Sequence, residues 1–232
     1  LAANKLFSPT AAIITATTYA FVSLTPNLSG FTIQAEHGVT FFIALGILFY
    51  AYFKSSGKWY YSFLMGIALG CSFMTKTSGV FLVAWGGITM LVTNLVGKKF
   101  NLKQTIIDVG AYGIGGLLVI LFFFALMAAK GSFADMLFWA YEVPKNYVGK
   151  IKFEEGVKYF GYTRDAILQN HKFFWMHGLF ALAVCLLKSV SLRDKIVFVL
   201  LLAFSCLTIV PGYYFYGHYW IQIIPGLAIM AG

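Results

Sequence analysis

The chain has 232 residues, of which 60% are hydrophobic, 19% aromatic and only 11% charged, with a formal net charge of +9. Soluble domains carry about 25% charged residues, so this chain cannot clothe itself in polar groups and is read as a membrane protein, for which hydrocarbon is the solvent. The positive charge does not point to nucleic acid: no DNA- or RNA-binding motif is visible, and basic residues gather in the short cytoplasmic loops of membrane proteins.

In chain order, apolar runs fall at about 8–25, 38–53, 59–75, 79–96, 106–129, 172–188, 194–210 and 219–232. A helix crosses the hydrocarbon core in about 20 residues. The runs lack the period-2 alternation of strands. The expected fold is therefore all-α: a polytopic bundle of about eight membrane-crossing helices. The polar turn Thr75-Lys76-Thr77-Ser78-Gly79 divides the apolar stretch 59–96, and Pro211-Gly212 divides 194–232. Gly66-xxx-Gly70 would allow close helix packing. Cys71, Cys185 and Cys206 all sit in apolar runs and read as small buried residues. The chain starts at Leu1 without a signal peptide and stops inside an apolar run, so residues 1–232 read as one domain cut at both ends.

Lys and Arg set the expected orientation. Lys5, Lys54, Lys58, Lys98, Lys99, Lys103, Lys188, Arg193 and Lys195 mark loops on the cytoplasmic side, while residues 26–37 and 211–218 carry no Lys or Arg and face outward. Lys54, Lys98, Asp108 and Arg193 read as solvated flanks of the cytoplasmic side. The segment 130–171 is the one sizeable extramembrane element, with aromatics such as Trp139, Tyr141, Tyr147 and Phe153 interleaved with charges. It is expected to form one or two amphipathic helices in the interface. It is either a connector anchored by its aromatics or a lid over a lipid-facing site.

Ionisable residues in or beside spans are costly, so each is a functional candidate. Three groups fall on the predicted outer side. Glu36, within Gln34-Ala35-Glu36-His37, is the only carboxylate in the first hundred residues. It could act as a base, a ligand or an anchor for sugar hydroxyls, or serve as a helix N-terminal charge. Lys76 could snorkel to the interface or bind a phosphate as a point charge. The third group is the aromatic block from Tyr213 to Trp220, in which Gly217-His218-Tyr219 puts a titratable ring at a helix start and Tyr faces suit the apolar faces of sugars. No HExxH-type spacing supports a metal site, and no cofactor is expected. Asn27-Leu28-Ser29 matches an N-glycosylation acceptor, a triplet frequent by chance.

At these segments the sequence resembles the membrane-embedded GT-C glycosyltransferases, in particular the dolichyl-phosphate-mannose protein mannosyltransferases and the bacterial aminoarabinose transferases of lipid A. An acidic residue closes the loop before a span (Gln34-Ala35-Glu36-His37). A Gly-rich span runs into a Thr-Lys turn (Gly66 to Gly79). An aromatic His-Tyr block leads into a span containing Pro225. The resemblance implies transfer of a sugar from a polyprenyl-phosphate-type lipid to a glycan, lipid or protein acceptor. The reaction would occur at the outer face, by inversion and without a nucleotide sugar. It implies Glu36 as the second acidic position of the active site, with the principal acid in an earlier outer loop. Gln34, His37, Lys76, Tyr216, His218 and Tyr219 would be substrate-binding residues, and 130–171 a gating loop. The expected setting is the bacterial inner membrane with the site facing the periplasm or exterior, among membrane lipids. A secondary transporter or flippase would instead place charges near the midplane and show an internal repeat. A polysaccharide polymerase or ligase would share the lipid-linked donor.

Overall fold

The computed structural model describes residues 1–96, 100–187 and 191–232. Lys98, Lys99 and Lys188 of the basic set lie outside the described residues, as does the side chain of Cys185. The described residues contain helices and turns but no strand. The helices are α1 (Ala2–Leu6), α2 (Pro9–Ser23), α3 (Ala35–Ser56), α4 (Trp59–Thr75), α5 (Val80–Leu95), α6 (Leu102–Ala129), α7 (Phe133–Leu137), α8 (Val143–Tyr147), α9 (Phe153–Leu187), α10 (Leu192–Leu207) and α11 (Ile224–Ala231).

Local sequence explains several helix ends. Ser8 caps α2 by accepting from the Ala11 N–H at 3.1 Å, with Pro9 as the first helical residue. Gly57, at φ 67°, closes α3 in the left-handed conformation that glycine tolerates. Asn101 caps α6 and Ser191 caps α10. The polar run after Thr75 forms a 3-10 turn over Thr77–Gly79, so the long apolar stretch does divide there.

Three segments are long and apolar enough to cross a membrane: Ala35–Ser56, Thr77–Leu95 and Leu102–Ala129. The other expected spans are shorter or more polar in the folded chain. After Pro211-Gly212 the chain enters a 3-10 turn over Gly217–Ile223, and α11 begins only at Ile224. The segment 130–171 is not a separate interfacial element either. Its second half is the first half of α9, which runs for 35 residues into the predicted span at 172–188. Lys, Arg and acidic side chains on the early turns of α9 do not interrupt helical hydrogen bonding, because they project outward from it.

α4 and α6 form the closest helix pair. A Cβ on Gly66 would stand 2.0 Å from the Tyr112 carbonyl oxygen, and one on Gly115 2.2 Å from that of Phe63. The two backbones touch because both lack side chains at the crossing. The main core gathers Tyr50, Met65, Leu69, Trp85, Met90 and Leu201 around this pair, and the Trp85 indole donates to the Val197 carbonyl at 3.0 Å. A second core, with Leu28, Ile167, Phe215, Trp220 and Ile224, sits beneath the aromatic block. By contrast Ile106, Ile114, Leu117, Leu121 and Phe122 of α6 are exposed. So continuous an apolar face requires hydrocarbon against it. The chain is an integral membrane protein.

Of the residues expected to be solvated flanks, Asp108 is buried, Lys54 and Arg193 are half-buried, and Lys98 lies outside the described residues. Asp108 is 2% exposed and accepts from Gln104 Nε2 at 2.8 Å, while Lys54 pairs with the buried Asp194 at 2.9 Å and Arg193 stands 3.5 Å from the same carboxylate. Charge near a span end suggested contact with water. Packing of the first turns of α6 and α10 against α3–α5 instead buries the two carboxylates, Asp108 beside Gln104 and Asp194 beside Lys54, with Arg193 half-buried next to them.

Candidate functional site

The site forms where the start of α3, the end of α4 and the turn over Gly217–Ile223 meet. Gln34 is the N-cap of α3, and its backbone N–H donates to His37 Nδ1 at 3.4 Å. The Gln34 amide also donates to Thr32 Oγ1 at 3.0 Å. Gln34 and His37 therefore close the helix end on either side of Glu36, and their hydrogen bonds are local. Glu36 occupies the first turn, where the helix dipole favours a negative charge.

Close approaches carry the other two elements to Glu36. A Cβ on Gly38 would lie 3.0 Å from Thr75 Cγ2, which presses the end of α4 onto the start of α3. A Cβ on Gly217 would lie 2.0 Å from the Asn27 carbonyl oxygen, so only glycine lets the turn at Asn27 seat against the His218 segment. The Asn27 side-chain amide, within the predicted glycosylation triplet, donates to the Ala166 carbonyl of α9. Ser78 Oγ donates to Gln222 Oε1 at 3.0 Å, a buried bond that ties the Thr-Lys turn to the Gly217–Ile223 turn.

The chemistry-bearing groups then converge. The Lys76 ammonium pairs with Glu36 Oε1, and the Glu36 side chain is 2% exposed. Lys76 Nζ also lies 3.9 Å from the centroid of the Tyr219 ring, a cation–π contact. His218 Nε2 stands 3.9 Å from the same Glu36 oxygen. Tyr216 stacks on His218 with centroids 5.7 Å apart, and Tyr219 meets His218 edge-on at 4.7 Å. Burial lowers the His218 pKa, Glu36 opposes that shift, and Lys76 adds to it. The net direction keeps the imidazole neutral at neutral pH. Among the described residues no three His, Cys, Asp or Glu side chains are grouped so as to hold a metal ion.

A cavity of about 760 Å³ is lined by Lys76 and its neighbours and by residues of the 136–148 segment. Phe73, Met74, Val80 and Phe124 form its floor, and Met136, Trp139, Pro144 and Lys145 its roof. The roof is α7, a π-helical turn over Phe138–Glu142, and α8. Pro144, near the start of α8, lacks the N–H that an uninterrupted α-helix would need, and the wider turn before it absorbs that defect. The cavity is mostly apolar, and Lys76 and Lys145 are among its lining residues.

The family model of dolichyl-phosphate-mannose-protein mannosyltransferases matches residues 1–137. The chain belongs to that family. The matched residues run from α1 to the end of α7, so they include Glu36, Lys76 and some of the cavity roof. Tyr216, His218 and Tyr219 lie beyond the match, and only folding joins them to it. No curated protein and no solved structure matches the chain. For this mannosyltransferase-family chain, membership carries glycosyltransferase activity with a lipid-linked sugar.

Glu36, Lys76, His218, Tyr216 and Tyr219, all singled out from the sequence, share one cluster. Two further residues hold it: Gln222, which the sequence marks as a polar residue following the aromatic block but gives no role, and Tyr147, one of many aromatics in its segment. The pairing of each with a distant residue is not written in local sequence.

Proposed function

We propose that this chain carries a portion of the active site of a glycosyltransferase. It moves a sugar from a polyprenyl-phosphate carrier to an acceptor hydroxyl at the outer face of a membrane, with about eight crossings in the bundle. The observation that carries this reading is Lys76, which lines a largely apolar cavity and pairs through its ammonium with a buried carboxylate. A polyprenyl phosphate has a matching form: a long apolar tail and one anionic head.

In the reaction the acceptor oxygen attacks the anomeric carbon, the bond from that carbon to the phosphate oxygen breaks, and the phosphate leaves with the electron pair. Lys76 faces the developing negative charge on the phosphate. In the absence of donor, Glu36 neutralises Lys76. A phosphate arriving at Lys76 competes for that ammonium and frees the Glu36 carboxylate to take the acceptor proton. Neutral His218 and the rings of Tyr216 and Tyr219 offer hydrogen bonds and a stacking face to the sugar. Gln34 and His37 fix the helix end that presents Glu36 and flank the place the acceptor would enter. The polar cluster lies at one end of the bundle rather than at mid-depth, which favours a transferase over a transporter. The bacterial inner membrane, with the site facing the periplasm or exterior, fits the distribution of Lys and Arg.

The test is transfer from a polyprenyl-phosphate-linked hexose by the full-length protein, scored by product mass. Glu36→Gln should lower turnover by roughly 100-fold or more, the scale of a lost general base. Full activity in that variant and in Lys76→Ala would remove the assignment.

A further inference from the structure

Tyr147 links the roof of the cavity to the cluster. Tyr147, at the end of α8, directs its hydroxyl to the Tyr219 hydroxyl at 3.2 Å. Its ring stacks on Tyr214 with centroids 4.1 Å apart and planes 19° from parallel. Tyr219 in turn carries the Lys76 ammonium on its face. Two features of the backbone accommodate this ring. Gly212 has φ 80°, and a Cβ there would meet Tyr147 Cε1 at 2.9 Å. Tyr213 and Phe215, on either side of Tyr214, adopt φ 59° and 48°. Positive φ is uncommon for bulky residues and is sustained only where the surroundings impose it. These turns present Tyr214 to Tyr147.

We infer that Tyr147 is a positioning residue that pins the α7–α8 roof onto the Tyr219–Lys76 pair, so that the cavity is closed over a lipid phosphate only while this ring is seated. The inference rests on the reading of the cavity as the donor site. Tyr147 has no contact with Glu36 that would bring it into the chemistry. Its effect is on holding the donor rather than on turnover. The hydroxyl aligns Tyr219 under Lys76, and the ring keeps the roof down.

The experiment uses the full-length protein in detergent with Tyr147→Phe, Tyr147→Ala and Gly212→Ala. Gly212→Ala places a methyl 2.9 Å from Tyr147 Cε1 and so displaces the ring while leaving residue 147 a tyrosine. Two readouts are taken: KM and kcat for a polyprenyl-phosphate-linked hexose, and the rate of tryptic cleavage after Lys145, an exposed residue of the roof. Tyr147→Ala and Gly212→Ala should each raise KM by about tenfold, leave kcat within about twofold, and speed cleavage after Lys145. Combining them should add little to either alone. Tyr147→Phe should raise KM by about fivefold, the value of one net hydrogen bond, with cleavage unchanged. Wild-type cleavage rates in both Tyr147→Ala and Gly212→Ala would overturn the pin. Faster cleavage without any change in KM, or without any transfer activity in the parent protein, would leave the roof pinned as described but overturn the assignment of the cavity to the donor.

Discussion

Lys76 and Glu36 form an ion pair at one end of the bundle, with 25% of the lysine side chain exposed and 2% of the glutamate. The asymmetry defines what the pair can do. The lysine keeps an open side toward the cavity, whereas the carboxylate depends on it for charge compensation. A second anion can reach Lys76, but no solvent can replace it at Glu36 without local opening.

Removal of one partner should therefore cost more than removal of both. Lys76→Met leaves a buried carboxylate without its cation and should destabilise the protein by about 3–5 kcal/mol. Glu36→Gln together with Lys76→Met should recover most of that loss. Denaturant titrations of the four proteins of the cycle, in one detergent, measure the coupling. A double variant no better than Lys76→Met alone would show that the pair is not what balances Glu36.

His218 gives a pH dependence of definite sign. Burial lowers its folded pKa below the ordinary value of 6.5. In the window below 6.5 the unfolded state then binds more protons than the folded one, so stability rises with pH. The contribution is present above pH 6.5 and is lost as pH falls toward the folded value. Melting temperatures between pH 5 and pH 8 should fall on acidification, and His218→Gln should reduce that slope. A slope untouched by the substitution would assign it to other groups.

The α4–α6 crossing should be intolerant at one glycine and tolerant at another on the same helix pair. At Gly66 a Cβ would meet the Tyr112 carbonyl oxygen at 2.0 Å, whereas at Gly113 nothing lies within 4 Å. Gly66→Ala must push the α4 and α6 backbones apart and should cost at least the roughly 1–3 kcal/mol of an overpacked core. Gly113→Ala should be neutral or stabilise by up to about 1 kcal/mol through helix propensity. Thermal shifts of the two variants measure the contrast.

The sequence by itself determined what depends on local composition. Hydrophobic content placed the chain in a membrane. Thr75–Gly79 and Pro211-Gly212 located two breaks, because a polar, glycine-containing run interrupts an apolar stretch and proline cannot continue a helix from its interior. The three motif blocks were enough for the mannosyltransferase-family resemblance, and Glu36, Lys76 and His218 were legible because ionisable groups are rare in such a chain. Tertiary structure alone decided how these groups meet. The contacts of Gly38 with Thr75 and of Gly217 with Asn27 join positions far apart in sequence, and no local pattern encodes which backbones will touch. Folding also decided the fate of Asp108, which composition placed in water and packing placed inside. It decided that residues 153–187 form one helix rather than an interfacial piece and a span. Hydropathy records the solvent each segment prefers; the partners, depth and register of each side chain are set by packing among distant elements.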